Sequence, residues 1–319
     1  MGLVSPAAGP QCRARGLGSG AGGATRLHLA AKRTGNGAVA GLKGRPVRDD
    51  DTAKAQPARM YDFLLGGKNH FGPDREAASG LLYSLPNART TVRENRAFLG
   101  RAVRYLAAEA GIRQFLEIGA GLPAEDSVHA VAQSVAPDSR VVYVDNDPAV
   151  IVHARAELTS HPDGQVAYLQ ADLRDPAAIL RAPEVRSTLA FTRPVALLLL
   201  TVLNYILDED GPAEIVATLL DALPPGSYLV ASVATGDFND PQVVADGMAA
   251  AEKMGLRLQS RSAEEFADIA LTRVELIPPG LVPVSEWRPE DETAPRPLPA
   301  EVAFYGAVGR KPAACGGRA

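Results

Sequence analysis

The stretch of this chain that most constrains its fold is a glycine turn that directly follows an apolar run. Residues 115–118 read Phe-Leu-Glu-Ile, then come Gly119, Ala120 and Gly121, and Pro123 stands where a helix would begin. This order is typical of the first strand-to-helix turn of an open α/β sheet, where glycines let backbone N–H groups approach a ligand closely. An ordinary glycine-rich turn without a ligand is the alternative.

Glu117, two places before the first glycine, distinguishes two kinds of ligand. A carboxylate at the tip of the first strand repels the pyrophosphate of a dinucleotide, whereas it suits a cationic amino group such as that of S-adenosylmethionine. In a dinucleotide fingerprint this position is apolar, and a third small residue closes the glycine pattern. Ala124 occupies that last place. The glycines alone therefore permit either ligand, and Glu117 favours the adenosyl cofactor.

Two further predicted strands also end in a carboxylate. The second ends in Asp145, which Asn146 follows, and the third ends in Asp172 and Leu173. Asp145 is placed to accept both ribose hydroxyls with Asn146 beside the adenine, while Asp172 and the Leu173 N–H are placed to bind the adenine edge. One Asp after a strand is usually only a cap or a turn former. Three strands that end this way predict an adenosyl site, because ligands of open α/β sheets bind at the carboxyl ends of the strands.

The composition indicates the cellular compartment of the protein and excludes some classes of partner. Cys12 and Cys315 lie near opposite ends of the 319 residues, and the five histidines show no ligand spacing, so neither a disulfide framework nor a metal site is predicted. The longest apolar run, Val195–Leu203, is far shorter than the roughly 20 residues of a membrane helix, and no secretory leader is recognisable. We expect a cytoplasmic protein with no membrane partner.

Charge separates a tail from the remainder of the chain. Residues 1–48 hold eight Arg or Lys and no Asp or Glu, so the net charge of −4 leaves −12 for the rest. We predict that residues 1–54 form a disordered, basic, Gly/Ala-rich tail, because this composition cannot bury enough apolar area to fold. Binding of nucleic acid or of an acidic surface by the tail is the alternative. The net charge of −12 outside residues 1–48 argues against a groove that binds the phosphate backbone of a nucleic acid.

The rest of the chain predicts an α/β fold with a doubly wound, mostly parallel, Rossmann-like sheet of seven strands. Helices are predicted within 55–110, where Gly66 and Gly67 form a helix C-cap, and strands alternate with helices over 111–312. The helices of 55–110 are expected to form a lid, and residues 313–319 a short C-terminal tail. Residues 55–312 are therefore predicted to be one domain.

The last two strands predict a particular variant of this sheet. Pro194–Leu203 is continuously apolar, as expected for a central fourth strand that is buried on both faces. The segment 278–299 is too rich in proline for a helix and is predicted to be a surface crossover anchored by Trp287. It brings the seventh strand, at 302–308, back antiparallel beside the fifth, at 228–233. This is the architecture of class I methyltransferases.

These segments together resemble an actinobacterial family of S-adenosylmethionine-dependent methyltransferases that was formerly described as a domain of unknown function. The resemblance runs from about residue 55 to 312, and two distinctive blocks carry it, at 58–69 (ARMYDFLLGGKN) and 279–289 (PGLVPVSEWRP). Further matching segments are 95–99, 114–122, 141–148, 171–176, 220–230 and 306–311. The resemblance implies a class I methyltransferase fold and S-adenosylmethionine as cofactor, and it supplies no substrate. The chain departs from the family at 269–276, which lacks an aromatic-rich segment, and at Asn204, where relatives often carry a histidine.

The predicted cofactor site combines the strand-end residues with Thr201, near the sulfonium after the fourth strand, and Tyr61 from the lid. Glu117 would bind the methionine amino group. The full set is Tyr61, Glu117, Gly119, Gly121, Asp145, Asn146, Asp172, Leu173 and Thr201. Lys68 is a further lid candidate, and the alternative is that Tyr61 is a core aromatic and Lys68 a solvated charge. No catalytic residue is predicted. Candidates near the acceptor, each more often structural than catalytic, are His70, Asn204, Tyr205 and Asp237.

The predicted function is methyl transfer from S-adenosylmethionine to a small molecule. A non-catalytic S-adenosylmethionine-binding protein is the first alternative. An NAD(P)-dependent oxidoreductase is the second, against which Glu117 and the missing third glycine argue. Nucleic-acid methylation is disfavoured because residues 203–206 read Leu-Asn-Tyr-Ile where an Asn/Asp-Pro-Pro-Tyr motif would stand. The sequence does not predict an oligomeric state.

Overall fold

The structure is a computed structural model, and it describes residues 53–124 and 126–313. The predicted basic tail, except for its last two residues, and the predicted C-terminal tail, except for its first, lie outside the described residues. The described chain has a helical N-terminal part followed by alternating strands and helices. None of its helices is both long and apolar enough to pass through a lipid bilayer.

Three helices precede the sheet: α1 (Pro57–Leu65), α2 (Gly72–Ser84) and α3 (Ala88–Ala108). Gly66 ends α1 with a left-handed φ of 87°, which confirms the predicted glycine cap. Gly67 is required for a different reason, because a Cβ there would lie 2.0 Å from a carboxylate oxygen of Asp62. The loop after α1 therefore folds back tightly onto the helix.

The sheet and its helices follow in alternation. The strands are β1 (Gln114–Ile118), β2 (Arg140–Asp145), β3 (Gln165–Gln170), β4 (Ala196–Leu200), β5 (Tyr228–Ala234), β6 (Glu275–Leu276), β7 (Val282–Pro283) and β8 (Phe304–Arg310). The helices are α4 (Val128–Val135), α5 (Pro148–Glu157), α6 (Pro176–Arg181), α7 (Pro183–Thr188), α8 (Pro212–Asp221), α9 (Pro241–Lys253), α10 (Ala263–Phe266) and α11 (Pro299–Val302). Short 3₁₀ turns lie at Val202–Tyr205, Asp208–Asp210 and Val284–Glu286, and a π turn at Ala267–Leu271.

The strand order is β3-β2-β1-β4-β5-β8-β6, and β7 also pairs with β8. Strands β1 to β5 are parallel and β8 is antiparallel to β5, which confirms the predicted doubly wound sheet and its reversed last strand. The predicted count of seven was wrong, because the described residues contain eight strands. The additional strand lies in the proline-rich crossover, where Val282 pairs with Gly306 of β8. A two-residue strand next to prolines carries no recognisable alternation.

Strand β4 ends at Leu200, earlier than predicted. Thr201 has a left-handed φ of 63°, and the chain then enters the 3₁₀ turn that starts at Val202. The Thr201 N–H donates to Ser232 O of β5 at 2.9 Å, so the turn stays attached to the sheet. Leu203 is still fully buried. The apolar run therefore continues beyond the strand that it predicted.

Apolar side chains of the described residues form three clusters. Two flank the sheet, since alternate residues of the strands, such as Phe115 and Leu116, belong to opposite clusters. Trp287 is fully buried and packs edge-on against Phe98 of α3, with ring centroids 5.6 Å apart, as its predicted role as an anchor requires. The third, here called the lid cluster, joins α1, α2 and α3 to α9 and the loop after it. Its buried members are Met60, Leu64, Ala78, Ala88, Val92, Ala251 and Leu256.

Candidate functional site

A cleft of about 1640 Å³ lies at the carboxyl ends of β1 to β4, next to α1 and α3. This volume exceeds the roughly 300–1,000 Å³ of pockets for one drug-sized ligand, so two reactants fit. The cleft brings together all of the residues predicted for the cofactor, whose ligand roles stay predictions. They are Tyr61, Glu117, Gly119, Gly121, Asp145, Asn146, Asp172, Leu173 and Thr201.

Glu117 supplies a buried carboxylate at the bottom of the cleft. Its side chain is only 5% exposed and has no hydrogen-bond partner among the described residues. Burial raises the pKa of Glu117 to about 8, opposed by the charge of Arg96 and reinforced by that of Asp145. The turn that follows β1 requires glycine, because Gly119 has a φ of 76° and a Cβ there would lie 2.8 Å from Val202. Within the described part of the chain, the site therefore offers a carboxylate without a hydrogen-bonding cation.

Asp145 links the ends of β1 and β2. One of its carboxylate oxygens accepts the Gly121 N–H and the other accepts the Asp147 N–H, both at 2.9 Å. Burial raises the pKa of Asp145 to about 6, and these backbone hydrogen bonds oppose the rise. A carboxylate has about four lone-pair sites, so these hydrogen bonds leave Asp145 able to accept a further donor.

The end of β3 offers one donor and one acceptor to the cleft. The Leu173 N–H has no acceptor among the described residues, and the half-exposed Asp172 accepts the Arg174 N–H at 2.9 Å. The Arg174 guanidinium also donates to Tyr205 O at 2.7 Å and lies 3.0 Å from Asp210. Arg174 therefore ties this end of the cleft to the turn after β4. Asn146 is exposed and lines the same cleft.

A hydrogen-bond network that the sequence did not predict lies between the lid and β4. Asn95 of α3 is buried, and its Nδ2 donates to the Tyr61 hydroxyl at 3.1 Å and to Thr201 Oγ1 at 2.9 Å. Its Oδ1 accepts from Ser232 Oγ at 2.7 Å. The Tyr61 hydroxyl donates to Val92 O at 3.0 Å, and burial raises its pKa to about 12. Tyr61 thus lines the cleft while its hydroxyl is held by the fold.

Arg96, the neighbour of Asn95, was also missed as a site residue. Its guanidinium lines the cleft and donates to Asp126 at 2.8 Å. Burial lowers the pKa of Arg96, but the charges of Asp126 and Glu117 together raise it above the ordinary value. The segment 95–99 was among those that carried the family resemblance. That resemblance was the only available signal, because polar residues on an amphipathic helix otherwise read as a solvated face.

Arg59 joins the lid to the loop after β2. It is 1% exposed, and its Nε donates to Asp74 of α2 at 3.0 Å, while Nη1 donates to Asp147 at 3.4 Å. The other oxygen of Asp147 accepts the Ala149 N–H at 2.8 Å and caps α5. The position of α1 is therefore coupled to the loop that directly follows Asp145.

Two of the other candidate residues lie in the cleft. Tyr205, in the turn after β4, lines it, and burial raises its pKa to about 12. Lys68 also lines it, is exposed, and has no partner among the described residues.

The remaining acceptor candidates do not line the cleft. His70 lies with Nδ1 at 2.8 Å from the Asp62 carboxylate and holds the loop after α1. Asn204 is buried and binds backbone groups, including the Ala234 N–H at 2.8 Å. Asp237 accepts the N–H of the first residue of α10 at 2.9 Å. Each of these three side chains is occupied by a structural contact.

Comparisons with known proteins identify the family of this chain. The profile of the S-adenosyl methyltransferase family matches residues 44–312. A DUF574 family protein from Streptomyces avermitilis is 45% identical, with a TM-score of 0.79 over 82% of this chain and 99% of that one. A protein from Thermobifida fusca, described as a candidate methyltransferase, is 40% identical, with a TM-score of 0.75 over 83% of this chain and 97% of that one. A search of curated proteins finds no match. The chain belongs to the S-adenosyl methyltransferase family, whose cofactor is S-adenosylmethionine.

Proposed function

We propose that the cleft binds S-adenosylmethionine with its amino group at Glu117 and positions it for methyl transfer to a small molecule. The observation that carries this assignment is the buried Glu117 carboxylate, which has no hydrogen-bonding cation among the described residues. An ammonium group at this position would relieve the cost of burying that charge. Arg96, close enough to influence Glu117 electrostatically, would hold the carboxylate of the same amino acid moiety.

The remaining cofactor contacts follow the strand ends. Asp145 would accept the ribose hydroxyls with its unused lone pairs, and Gly121 brings the backbone close. Asp172 and the Leu173 N–H would bind the adenine edge, beside Asn146. When bound, the cofactor supplies a methyl group already activated by its sulfonium. The protein's task is then to align the acceptor and exclude water, which can account for several kcal/mol of the barrier.

A small-molecule acceptor fits the enclosure of the cleft. Residues of the α1 block, Tyr61 and Lys68 among them, line the same cleft as the strand ends, so the lid covers the reactants. The acidic balance outside residues 1–48 supports the same choice over nucleic acid. The domain limits at residues 55 and 312 and a cytoplasmic location remain predictions from the sequence.

Calorimetric titration of the full chain tests the assignment. We expect saturable binding of S-adenosylmethionine and S-adenosylhomocysteine, loss of both in Asp145→Asn, and no change in Asp268→Asn. Asp268 is an exposed control that lies outside the cleft. Absence of binding by both adenosyl ligands, or tighter binding of NADH, would contradict the proposal. Binding without label transfer to any acceptor would favour a non-catalytic binding protein.

A further inference from the structure

The hydrogens of the network around Asn95 can be assigned from one fixed acceptor. Val92 O can only accept, so the Tyr61 hydroxyl, 3.0 Å away, donates its single hydrogen there. Tyr61 must then accept from Asn95, which places the amide nitrogen on this side. The same nitrogen lies 2.9 Å from Thr201 Oγ1, so Thr201 also accepts.

This assignment leaves one hydrogen for the cleft. Ser232 Oγ donates to Asn95 Oδ1 at 2.7 Å and accepts the Thr201 N–H at 3.2 Å. The Thr201 hydroxyl hydrogen has no acceptor among the described residues, and Thr201 lines the cleft. The network therefore presents a hydrogen-bond donor to the reactants, and it contains no group that can take a proton at neutral pH.

The described lining of the cleft also lacks a free base beyond the cofactor carboxylates. No described histidine lines it, and Tyr205 keeps its proton because burial raises its pKa to about 12. The other carboxylates are each held by a donor. The pairs are Asp62 with His70, Asp126 with Arg96, Asp147 with Arg59, Glu157 with Asn69 and Asp172 with Arg174.

Apart from Glu117 and Asp145, the charged side chains of the described lining that have no oppositely charged partner are cations. Lys54, Lys68 and Arg93 line the cleft, are exposed, and have no carboxylate partner among the described residues. Three further cations of the lining are paired with carboxylates: Arg96 with Asp126, Arg174 with Asp172 and Arg257 with Glu209. Cations that line a partly enclosed cleft attract an anionic ligand.

We propose that the methyl acceptor is a carboxylate, held by the Thr201 hydroxyl and attracted by Lys54, Lys68 and Arg93. A carboxylic acid is already ionised at neutral pH, whereas an amine, alcohol or phenol must first lose a proton. A carboxylate oxygen forms the new O–CH₃ bond while the S–CH₃ bond breaks and its electron pair stays on sulfur. The products are a methyl ester and the neutral thioether S-adenosylhomocysteine, and no proton moves. This proposal rests on the proposed function.

Fragment binding to the full chain saturated with S-adenosylhomocysteine tests it. Benzoate, benzamide and benzylamine share a phenyl ring and carry a carboxylate, an amide and an amine, respectively. Ligand-observed NMR measures the dissociation constant of each fragment. We expect benzoate to bind about tenfold more tightly than the other two. The preference should disappear in the double variant Lys68→Gln/Arg93→Gln and persist in Arg181→Gln, an exposed cation outside the cleft. Thr201→Val should weaken benzoate several-fold, and Thr201→Ser should retain its binding.

Binding of S-adenosylhomocysteine, measured first in every sample, separates the two proposals and reports folding of each variant. If it does not bind to the parent chain, the proposed function fails. If it binds while benzoate shows no preference over benzamide and benzylamine, or does not bind, the carboxylate proposal is overturned and the proposed function stands.

Discussion

Replacing Glu117 by glutamine should stabilise the cofactor-free protein at high pH and at the same time abolish cofactor binding. The carboxylate is buried without a hydrogen-bond partner among the described residues, so its ionisation opposes folding until a cation arrives. The amide has no charge to bury and cannot form an ion pair with an ammonium group. One substitution is therefore expected to raise stability and remove function.

The magnitude follows from the pKa of Glu117, which burial raises from 4.5 to about 8. Between these values the folded chain holds a proton that the unfolded chain has lost, so the free energy of unfolding falls as pH rises. At about 1.4 kcal/mol per pH unit, the penalty is about 1 kcal/mol near pH 5.5 and on the order of 5 kcal/mol above pH 8. The buried amide costs about 1–3 kcal/mol at either pH. The difference between variant and parent should therefore move by about 3–4 kcal/mol in favour of the variant over this range.

Urea unfolding of the cofactor-free chains near pH 5.5 and 8.5 measures this difference, with the fluorescence of the single tryptophan, buried Trp287, as the signal. Glu264→Gln is the matched control, since Glu264 is exposed on α10 and lies outside the cleft. A difference between Glu117→Gln and the parent that is the same at both pH values would refute the reasoning. So would a difference that favours the parent at the higher pH.

Three further predictions concern the lid, the network and the cofactor. Gly67→Ala brings a Cβ within 2.0 Å of the Asp62 carboxylate, so it should cost about 1–3 kcal/mol in calorimetric unfolding, whereas Gly100→Ala, with open space around it, should not destabilise; equal effects would contradict this. Asn95→Leu leaves three hydrogen-bonding partners unpaired. It should lower the free energy of unfolding in urea by about 2–5 kcal/mol and weaken S-adenosylhomocysteine binding. A loss of less than about 1 kcal/mol would show that the network contributes little to stability. Cofactor affinity should fall about tenfold per pH unit below pH 8, because Glu117 must lose its proton before it pairs with the ammonium; titrations at several pH values that give one constant would exclude this role.

Much of the fold could be predicted because the strands near the cleft carry strong local signals. Glu117, Asp145 and Asp172 each follow an apolar run, and parallel strands place their carboxyl ends at one edge of the sheet. The reversed last strand was also predicted, since the proline-rich crossover could not be a helix. These inferences need only periodicity and chain direction.

The parts that were missed depend on contacts between residues far apart in the chain. Asn95 and Ser232 are 137 positions apart, and no local pattern marks either as a partner of the other. The left-handed turn at Thr201 interrupts an apolar run, and no glycine at that position indicates the turn in the sequence. His70, unlike these, was considered as an acceptor-side residue, but Asp62 fixes it outside the cleft through a contact that spacing alone does not specify.

The lid cluster has a consequence for the timing of turnover. It is separate from the two clusters that flank the sheet. The helices α1, α2 and α9 can therefore open while the sheet stays folded, by breaking this apolar cluster and the hydrogen bonds of Tyr61 and Arg59. Arg59 connects this opening to Asp147, next to the predicted ribose residue. A ligand that holds the loop after β2 must therefore stiffen α1, and by reciprocity any molecule that stiffens α1 must tighten the hold on that ligand. We therefore expect the rate of S-adenosylhomocysteine release to follow the rate at which these three helices open. Amide hydrogen exchange can measure that opening rate.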